Sequence, residues 1–188
     1  VADDVRFVAT DVKESLEGLT FTVTDTQTQD KEVFVTSVMG EHNVTNILLA
    51  TAIAVHEGMS LREVALRVRS LQPAESRLVS HTTSQGITII NDAYSANPVG
   101  VVSSLKVLGM HNTGRRLLIT PGMVELGELQ DKENRKLGQL IADYATDVIL
   151  VGEAQNHSVK TGLLESGFPP EHLQIVDILS ESIQWYQH

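Results

Sequence analysis

The clearest indication of the fold class is the run Arg116-Leu117-Leu118-Ile119-Thr120, which is followed directly by Pro121-Gly122. A largely apolar run of this length is typical of a strand that is buried on both faces, and the Pro-Gly pair marks the turn that ends it. A helical pattern follows, and then a second apolar run at Val148 to Val151 leads through Gly152 to another helix. This repeat predicts an α/β protein with a mainly parallel sheet covered by helices on both faces.

The same unit occurs on both sides of this stretch. Upstream, Ile87 to Ile90 precedes a polar segment and a helical pattern that starts at about Val99. Downstream, Leu173 to Val176 precedes a helical segment from Ile178 to Tyr186. No capping residue or closing strand follows that segment, so we expect this domain to be incomplete at its end.

The first forty residues have an extended pattern. Thr20 to Thr24 and Val33 to Val35 alternate apolar and polar residues around a polar stretch, which predicts a β-hairpin. From Asn43 the apolar period becomes helical, and Gly58 is a plausible stop signal for that helix.

A second helix is predicted after Ser60. Ser60 and Glu63 have the spacing of a capping box, and the apolar stripe that follows ends ahead of Pro73. We therefore place a domain boundary near Gln72-Pro73, which gives one region over residues 1–72 and another over residues 73–188.

Composition limits the class of protein. The 188 residues are 41% hydrophobic and 20% charged, which is enough to bury a core. The sequence has neither a membrane-length apolar run of about 20 residues nor a basic, signal-like amino terminus, so we expect no membrane insertion. Absence of Cys is compatible with a cytoplasmic protein. The net charge of −10 disfavours a nucleic-acid interface but leaves a local nucleotide site open.

Polar clusters that follow apolar runs are the first candidates for a site, because ligands of parallel sheets bind beyond the carboxyl ends of the strands. The clusters are Asn91 to Pro98, Thr120 to Gly127, and Gly152-Glu153. Asp92 has the chemistry to hold a ribose hydroxyl or a cation, and it equally suits a turn at the strand exit. The residues alone leave both roles open.

A second candidate cluster is the segment Gly40 to Asn46. Asn43 and Asn46 are three residues apart on one helical face, where their amides could bind a planar base, although Asn43 could equally be an N-cap. Arg77 is the only cation in Pro73 to Arg77 and could pair with phosphate or ribose oxygens or lie free on the surface. The sequence has no Walker-type phosphate loop and no nucleophile elbow.

Taken together, these clusters resemble the Mur ligase family, within it the branch that adds D-alanyl-D-alanine to UDP-muramoyl-tripeptide. Four motifs carry the resemblance in order: Gly40 to Asn46, Arg77 after a proline, Asn91 to Pro98, and Gly122 to Gly127. The resemblance covers about residue 19 to the end of the chain. It implies that residues 1–72 end a central ATPase domain and that residues 73–188 are most of a Rossmann-like carboxyl-terminal domain.

The resemblance also assigns roles to single residues. Asn43 and Asn46 match positions that contact adenine in the family, and Arg77 and Asp92 match positions that contact ribose and phosphates. The loop with Tyr94, Ser95 and Asn97 matches one that approaches the incoming amino acid or dipeptide. These are expectations from the family.

The family reaction joins an amine to a carboxylate through an acyl phosphate made with ATP and Mg. The phosphate loop, the Mg ligands and the carbamylated Lys of the family belong upstream of Val1, so we expect this chain alone to have no ligase turnover. The substrates implied are a UDP-muramoyl-peptide and a dipeptide or amino acid; the oligomeric state cannot be predicted from the sequence.

Two departures from the branch pattern leave alternatives open. Gly122 replaces an acidic residue before Met123, and Ser95 replaces an Asn. A paralogue with a different amine substrate therefore stays open. So do a folate-type polyglutamate ligase, which the loop from Asp92 to Pro98 disfavours, and a non-catalytic nucleotide-binding or interaction module.

Overall fold

The computed structural model describes residues 5–94 and 96–181, except for the side chains of residues 153–155. The chain divides into two compact units, and the division falls after Tyr94. The domain boundary near Gln72-Pro73 stays a prediction, because a domain boundary within a family and a division by compactness are different properties.

The first unit begins with a three-stranded antiparallel sheet. Its strands are β1 (Phe7–Ser15), β2 (Gly18–Asp25) and β3 (Lys31–Thr36), in that spatial order. The pairing of β2 with β3 confirms the predicted hairpin. Alternate residues of β2 point inward, and the rings of Phe21 and Phe34 pack with centroids 5.6 Å apart.

Two helices cover the inner face of this sheet: α1 (His42–His56) and α2 (Leu61–Val68). The predicted capping box of α2 is present, with Ser60 Oγ accepting from the Glu63 N–H and Glu63 accepting from the Ser60 N–H. Apolar side chains from strands and helices form one core: Phe7, Leu19, Phe21, Val23, Phe34, Val44, Ile47, Leu61, Val64, Ala65 and Val68.

The first unit ends in a second hairpin, which differs from the predicted arrangement. The sequence pattern grouped the strand at Ile87 to Ile90 with the parallel strands downstream. Instead, β5 (Thr88–Asn91) pairs antiparallel with β4 (Val79–Thr82) in a two-stranded sheet. A tight turn at residues 83–87 brings the two strands together, so local pairing wins over alignment with the distant strands.

The second unit is a parallel α/β layer structure. Strands β6 (Leu117–Thr120), β7 (Asp147–Val151) and β8 (Leu173–Val176) form a parallel sheet in that order, which confirms the predicted fold class. Its helices are α3 (Gly100–Met110), α4 (Gln130–Tyr144) and α5 (Glu153–Glu165). Short 3₁₀ turns lie at Gly127–Leu129 and Pro170–His172. The predicted helix at Ile178 to Tyr186 lies outside the described residues beyond Glu181.

Helices α4 and α5 approach so closely that glycine is required on both. A Cβ at Gly138 would overlap the carbonyl oxygen of Val159, and a Cβ at Gly162 would overlap that of Arg135. The apolar face of α4 and strand β7 form the core of this unit around Leu137, Ile141, Val148 and Leu150. Within the part of the chain that the structure describes, no helix is long and apolar enough to cross a membrane.

Candidate functional site

The first part of the candidate site is the start of α1. Gly40 has φ +90°, a conformation that favours glycine. The ring of His42 and a methyl group of Leu78 fill the space where a side chain at position 40 would lie. One turn later, Asn43 Nδ2 donates to the carbonyl oxygen of Met39 at 2.8 Å. Asn46 Nδ2 in turn donates to Asn43 Oδ1 at 2.9 Å. The pair predicted from its spacing is therefore a hydrogen-bonded unit.

The two asparagines differ in how freely they can meet a ligand. Asn43 is half-buried and secures the helix start, whereas Asn46 is exposed. Helix α1 begins at His42 and Glu41 occupies its N-cap position, so Asn43 lies within the first turn and its alternative role as the N-cap is wrong. Asn43 orients the exposed amide of Asn46, and that amide offers a base a donor and an acceptor.

The second part of the candidate site is a tight loop that presents Arg77. Ser76 and Leu78, the two neighbours of Arg77, have φ of 59° and 50°. Both lie in the left-handed region, which costs a non-glycine residue about 1–2 kcal/mol. Two such residues around one exposed arginine mark a backbone that its surroundings hold in place.

The segment that leaves β5 supplies those surroundings. Asp92 Oδ1 accepts from the Leu78 N–H at 3.0 Å, and the Tyr94 N–H donates to the Ser76 carbonyl at 3.1 Å. Asn91 Nδ2 also donates to Ser76 Oγ at 3.3 Å. Thus three residues of the Asn91 to Pro98 motif bind the chain on either side of Arg77.

The structure brings the two parts of the site together within the first unit. The buried side chain of Leu78 packs against Gly40, with Leu78 Cδ2 3.2 Å from the position of a Cβ there. Consequently the loop that presents Arg77 touches the turn that begins the helix with Asn43 and Asn46. The apolar groove between β1 and α1, lined by Phe7, Ala9 and Leu48 among others, does not include either asparagine.

The remaining predicted residues lie elsewhere. Asn97 belongs to the second unit, where its Oδ1 accepts from the N–H groups of Val99 at 3.2 Å and Gly100 at 2.9 Å and so caps the start of α3. Ser95 lies outside the described residues. The roles predicted for Tyr94, Ser95 and Asn97 on the substrate side stay predictions.

A loop after β6 holds the fourth motif, and two residues of α4 that the sequence pattern missed bind its backbone. Asn134 of α4 is buried, and its amide accepts from the Met123 N–H and donates to the Met123 carbonyl, both at 2.8 Å. Gln130 also donates to that carbonyl and accepts from the Leu126 N–H at 3.1 Å. Asn134 shares a helix face with the core residues Leu137 and Ile141, and a polar residue in an apolar stripe is a signal that could have found it.

Gly122 has a structural reason for replacing an acidic residue. Its φ is +77°, and a Cβ would stand 2.9 Å from Asn134 Oδ1 and 3.2 Å from Asn156 Oδ1. Asn156 Oδ1 is itself buried with no hydrogen-bond partner in the described structure. The left-handed backbone and the two nearby amide oxygens therefore make a carboxylate side chain at position 122 unfavourable.

The side chains of these two parts carry groups that can bind a nucleotide. Amide groups match a planar base, and a guanidinium matches phosphate or ribose oxygens. Among the residues whose positions are described, no three His, Cys, Asp or Glu side chains form a group that could hold a metal ion.

Comparison with known proteins decides the family. Residues 76–187, more than half of the chain, match the family model described as Mur ligase, glutamate ligase domain. The chain belongs to the Mur ligase family. A curated relative from Bacillus subtilis (strain 168), UDP-N-acetylmuramoyl-tripeptide--D-alanyl-D-alanine ligase, is 29% identical over 133 residues, which are 70% of this chain and 28% of the relative.

Solved structures of Mur ligases share the fold. A crystal structure of MurF from Acinetobacter baumannii matches with a TM-score of 0.79 at 22% identity. The match covers 96% of this chain and 38% of the MurF chain. MurF ligase from Thermotoga maritima in complex with ADP has a TM-score of 0.71 at 16% identity, covering 93% of this chain and 38% of its own. The chain thus spans between about a quarter and two fifths of the length of these Mur ligases.

Proposed function

We propose that this chain is the carboxyl-terminal part of a cytoplasmic, ATP-dependent ligase of peptidoglycan precursor synthesis. The reaction proposed joins D-alanyl-D-alanine to UDP-muramoyl-tripeptide through an acyl phosphate. The name of the Bacillus subtilis relative and the order of the four sequence motifs support this reaction.

The observation that carries the proposal is the packing of Leu78 against Gly40. This contact joins the loop of Arg77 to the start of the helix that carries Asn46. An amide for a base and a guanidinium for phosphate or ribose oxygens then belong to one nucleotide site. The ADP bound to MurF ligase from Thermotoga maritima is a ligand of the same class.

When bound, ATP supplies the phosphoryl group that activates the substrate carboxylate, and the amine of the second substrate then displaces phosphate to form the amide. The residues of this chain contribute binding and orientation. Asn43 orients Asn46 toward the base, Asp92 fixes the backbone of the Arg77 loop, and Arg77 offsets negative charge on the nucleotide. Closure of the site over these groups would exclude water from the acyl phosphate.

The remaining machinery is assigned to the part of the ligase upstream of residue 1. The sequence contains no Gly-Lys-Thr phosphate loop, and we place that loop and the Mg²⁺ ligands in the upstream region. We therefore expect the 188-residue chain alone to form no amide from ATP and the two substrates. Amide formation by the purified chain would contradict that expectation.

A paralogue that uses another amine is the second candidate, and Gly122 favours it. The left-handed backbone at Gly122 and the amide oxygens of Asn134 and Asn156 disfavour the acidic side chain of the branch pattern, so the loop before Met123 lacks that carboxylate. An amine substrate that depended on that carboxylate would need another partner here.

The test is an amide-formation assay of the full-length ligase with UDP-muramoyl-tripeptide and a panel of amines. D-alanyl-D-alanine should be the preferred amine, and Arg77→Ala should lower kcat/KM for ATP by at least about tenfold, the loss of one charge-assisted contact. Arg62→Ala, an exposed arginine on α2, is the control and should leave the rate unchanged. Preference for glutamate or another amine would favour the paralogue, and no ATP-dependent product with any amine would favour a binding module.

A further inference from the structure

The guanidinium of Arg77 lies over the ring of Tyr94, with its carbon 4.2 Å from the ring centroid. That distance is well inside the range of a cation–π contact. Both side chains are exposed, so no core packing forces them together. The contact spans 17 positions of sequence, and the turn that separates the two residues is the β4–β5 hairpin.

The backbone sets up this contact as well. The Tyr94 N–H donates to the carbonyl of Ser76, the residue immediately before Arg77. Asp92 accepts from the N–H of Leu78, the residue immediately after it. These two hydrogen bonds hold the backbone on either side of Arg77. The Tyr94 ring contacts the long, flexible side chain of Arg77, which the two bonds do not restrain.

We infer that Tyr94 is a positioning residue that holds the Arg77 guanidinium ready for an anionic ligand. The inference rests on the proposed function, in which that ligand is the nucleotide. It differs from the substrate-side role that the family resemblance implies for Tyr94, because the effect of Tyr94 passes through Arg77. The reason is entropic: a guanidinium that is already ordered loses less conformational freedom when the nucleotide binds.

The ring face, and not the hydroxyl, carries this role. Phenylalanine presents the same face to a cation, whereas leucine presents none. Tyr94→Phe should therefore retain the function that Tyr94→Leu loses. If Tyr94 instead bound the amine substrate through its hydroxyl, Tyr94→Phe would lose the function as well as Tyr94→Leu.

The first experiment measures ADP affinity of the full-length ligase by calorimetry. Tyr94→Leu should weaken binding about two- to fivefold, the range of an exposed cation–π contact, and Tyr94→Phe should leave it unchanged. In an Arg77→Ala background, Tyr94→Leu should cause no further loss, because the residue through which it acts is gone. Full additivity of the two changes would overturn the inference.

In steady-state assays, Tyr94→Leu should raise KM for ATP and leave KM for the dipeptide unchanged. A rise in the dipeptide KM alone would also overturn the inference.

A second measurement separates the inference from the proposed function. The Nε–H resonance of Arg77 should carry a ring-current shift in the wild type and in Tyr94→Phe, and lose it in Tyr94→Leu. An unchanged resonance in Tyr94→Leu would overturn the positioning role while leaving the nucleotide role of Arg77 intact. Conversely, unchanged ADP affinity in Arg77→Ala would remove the proposed nucleotide role of Arg77. The ring-current shift in the wild type would still support the contact between Tyr94 and Arg77.

Discussion

The buried amide of Asn134 binds both polar backbone groups of Met123, accepting from its N–H and donating to its carbonyl at 2.8 Å each. This pair of bonds joins helix α4 to the loop that follows β6. That loop contains the Gly122 to Gly127 motif, so Asn134, together with Gln130, holds the backbone of the motif in place.

Replacement of Asn134 should therefore destabilise the second unit. Asn134→Ala would leave the buried Met123 N–H without its partner and the Met123 carbonyl with Gln130 alone, at a cost of about 1–3 kcal/mol for an unsatisfied buried group. Urea denaturation should show the loss as a lower midpoint. Lys132→Ala, an exposed change on the same helix, should stay within about 0.5 kcal/mol of the wild type. Equal stabilities of the two variants would show that the loop does not depend on Asn134.

The close approach of α4 and α5 reverses the usual effect of a glycine-to-alanine change. In an ordinary helix interior, alanine is more favourable than glycine by about 1 kcal/mol. At Gly138 and Gly162 the added methyl group would overlap a carbonyl oxygen of the facing helix, and we expect each alanine variant to lose about 1–3 kcal/mol or more.

Thermal unfolding of the two alanine variants checks this expectation. The control is Lys160→Ala, an exposed change on α5, which should alter the melting temperature little. Melting temperatures at or above wild type for Gly138→Ala and Gly162→Ala would contradict the packing described.

The stability of the second unit should fall in acid because of Asp147. Burial disfavours its carboxylate, but hydrogen bonds with Arg115, His172 and Thr146, together with the charge of Arg115, outweigh burial and lower the pKa of Asp147 to about 2. A pKa below the ordinary value of 3.8 in the folded state means that the stabilisation is present above about pH 4. It is lost as the pH falls from about 4 to 2, and it amounts to about 2 kcal/mol.

Calorimetry between pH 7 and pH 2 tests the assignment to Asp147. Asp147→Asn should be less stable than the wild type at pH 7 and should show a flatter fall between pH 4 and pH 2. Asp143→Asn, an exposed carboxylate on α4, should follow the wild-type curve. If Asp147→Asn kept the full acid dependence, another carboxylate would have to cause it.

Alanine variants of Asn43 and Asn46 should differ in their effects on stability, although both should lower nucleotide affinity. Asn46→Ala removes only the exposed amide, so ADP affinity of the full-length ligase should fall while the melting temperature stays unchanged. Asn43→Ala also removes the bond to the Met39 carbonyl and should cost about 1 kcal/mol of stability in addition. Thr45→Ala, an exposed neighbour on α1, should change neither quantity. Unchanged ADP affinity in both asparagine variants would remove the base-binding role.

Family membership explains why part of the site could be predicted. Asn43, Asn46, Arg77 and Asp92 were singled out by motif, and the structure places all four in the first unit. Their nucleotide contacts remain proposals. The bond from Leu78 to Asp92 and the stack of Arg77 on Tyr94 were not predicted, because no local pattern records which residues a hairpin turn will bring together.

The elements that depend on short-range chemistry could be predicted from the order of residues alone. The hairpin of β2 and β3 follows from alternation, the start of α2 from the spacing of Ser60 and Glu63, and the α/β class from apolar runs that alternate with helical stripes. Each of these signals lies within a few residues. Over that distance, the geometry of a helix or strand determines the side on which each side chain lies.

The contacts between distant segments could be seen only in the folded chain. It paired β5 with β4 instead of the parallel sheet, placed Gly138 against Val159, and buried Asn134 beneath the loop of Met123. These contacts depend on shape complementarity and on hydrogen bonds between residues that are distant in sequence. A buried polar group or a close helix contact stabilises the fold only when both partners are in position. The presentation of Arg77 by Asp92 and Tyr94 is of this second kind.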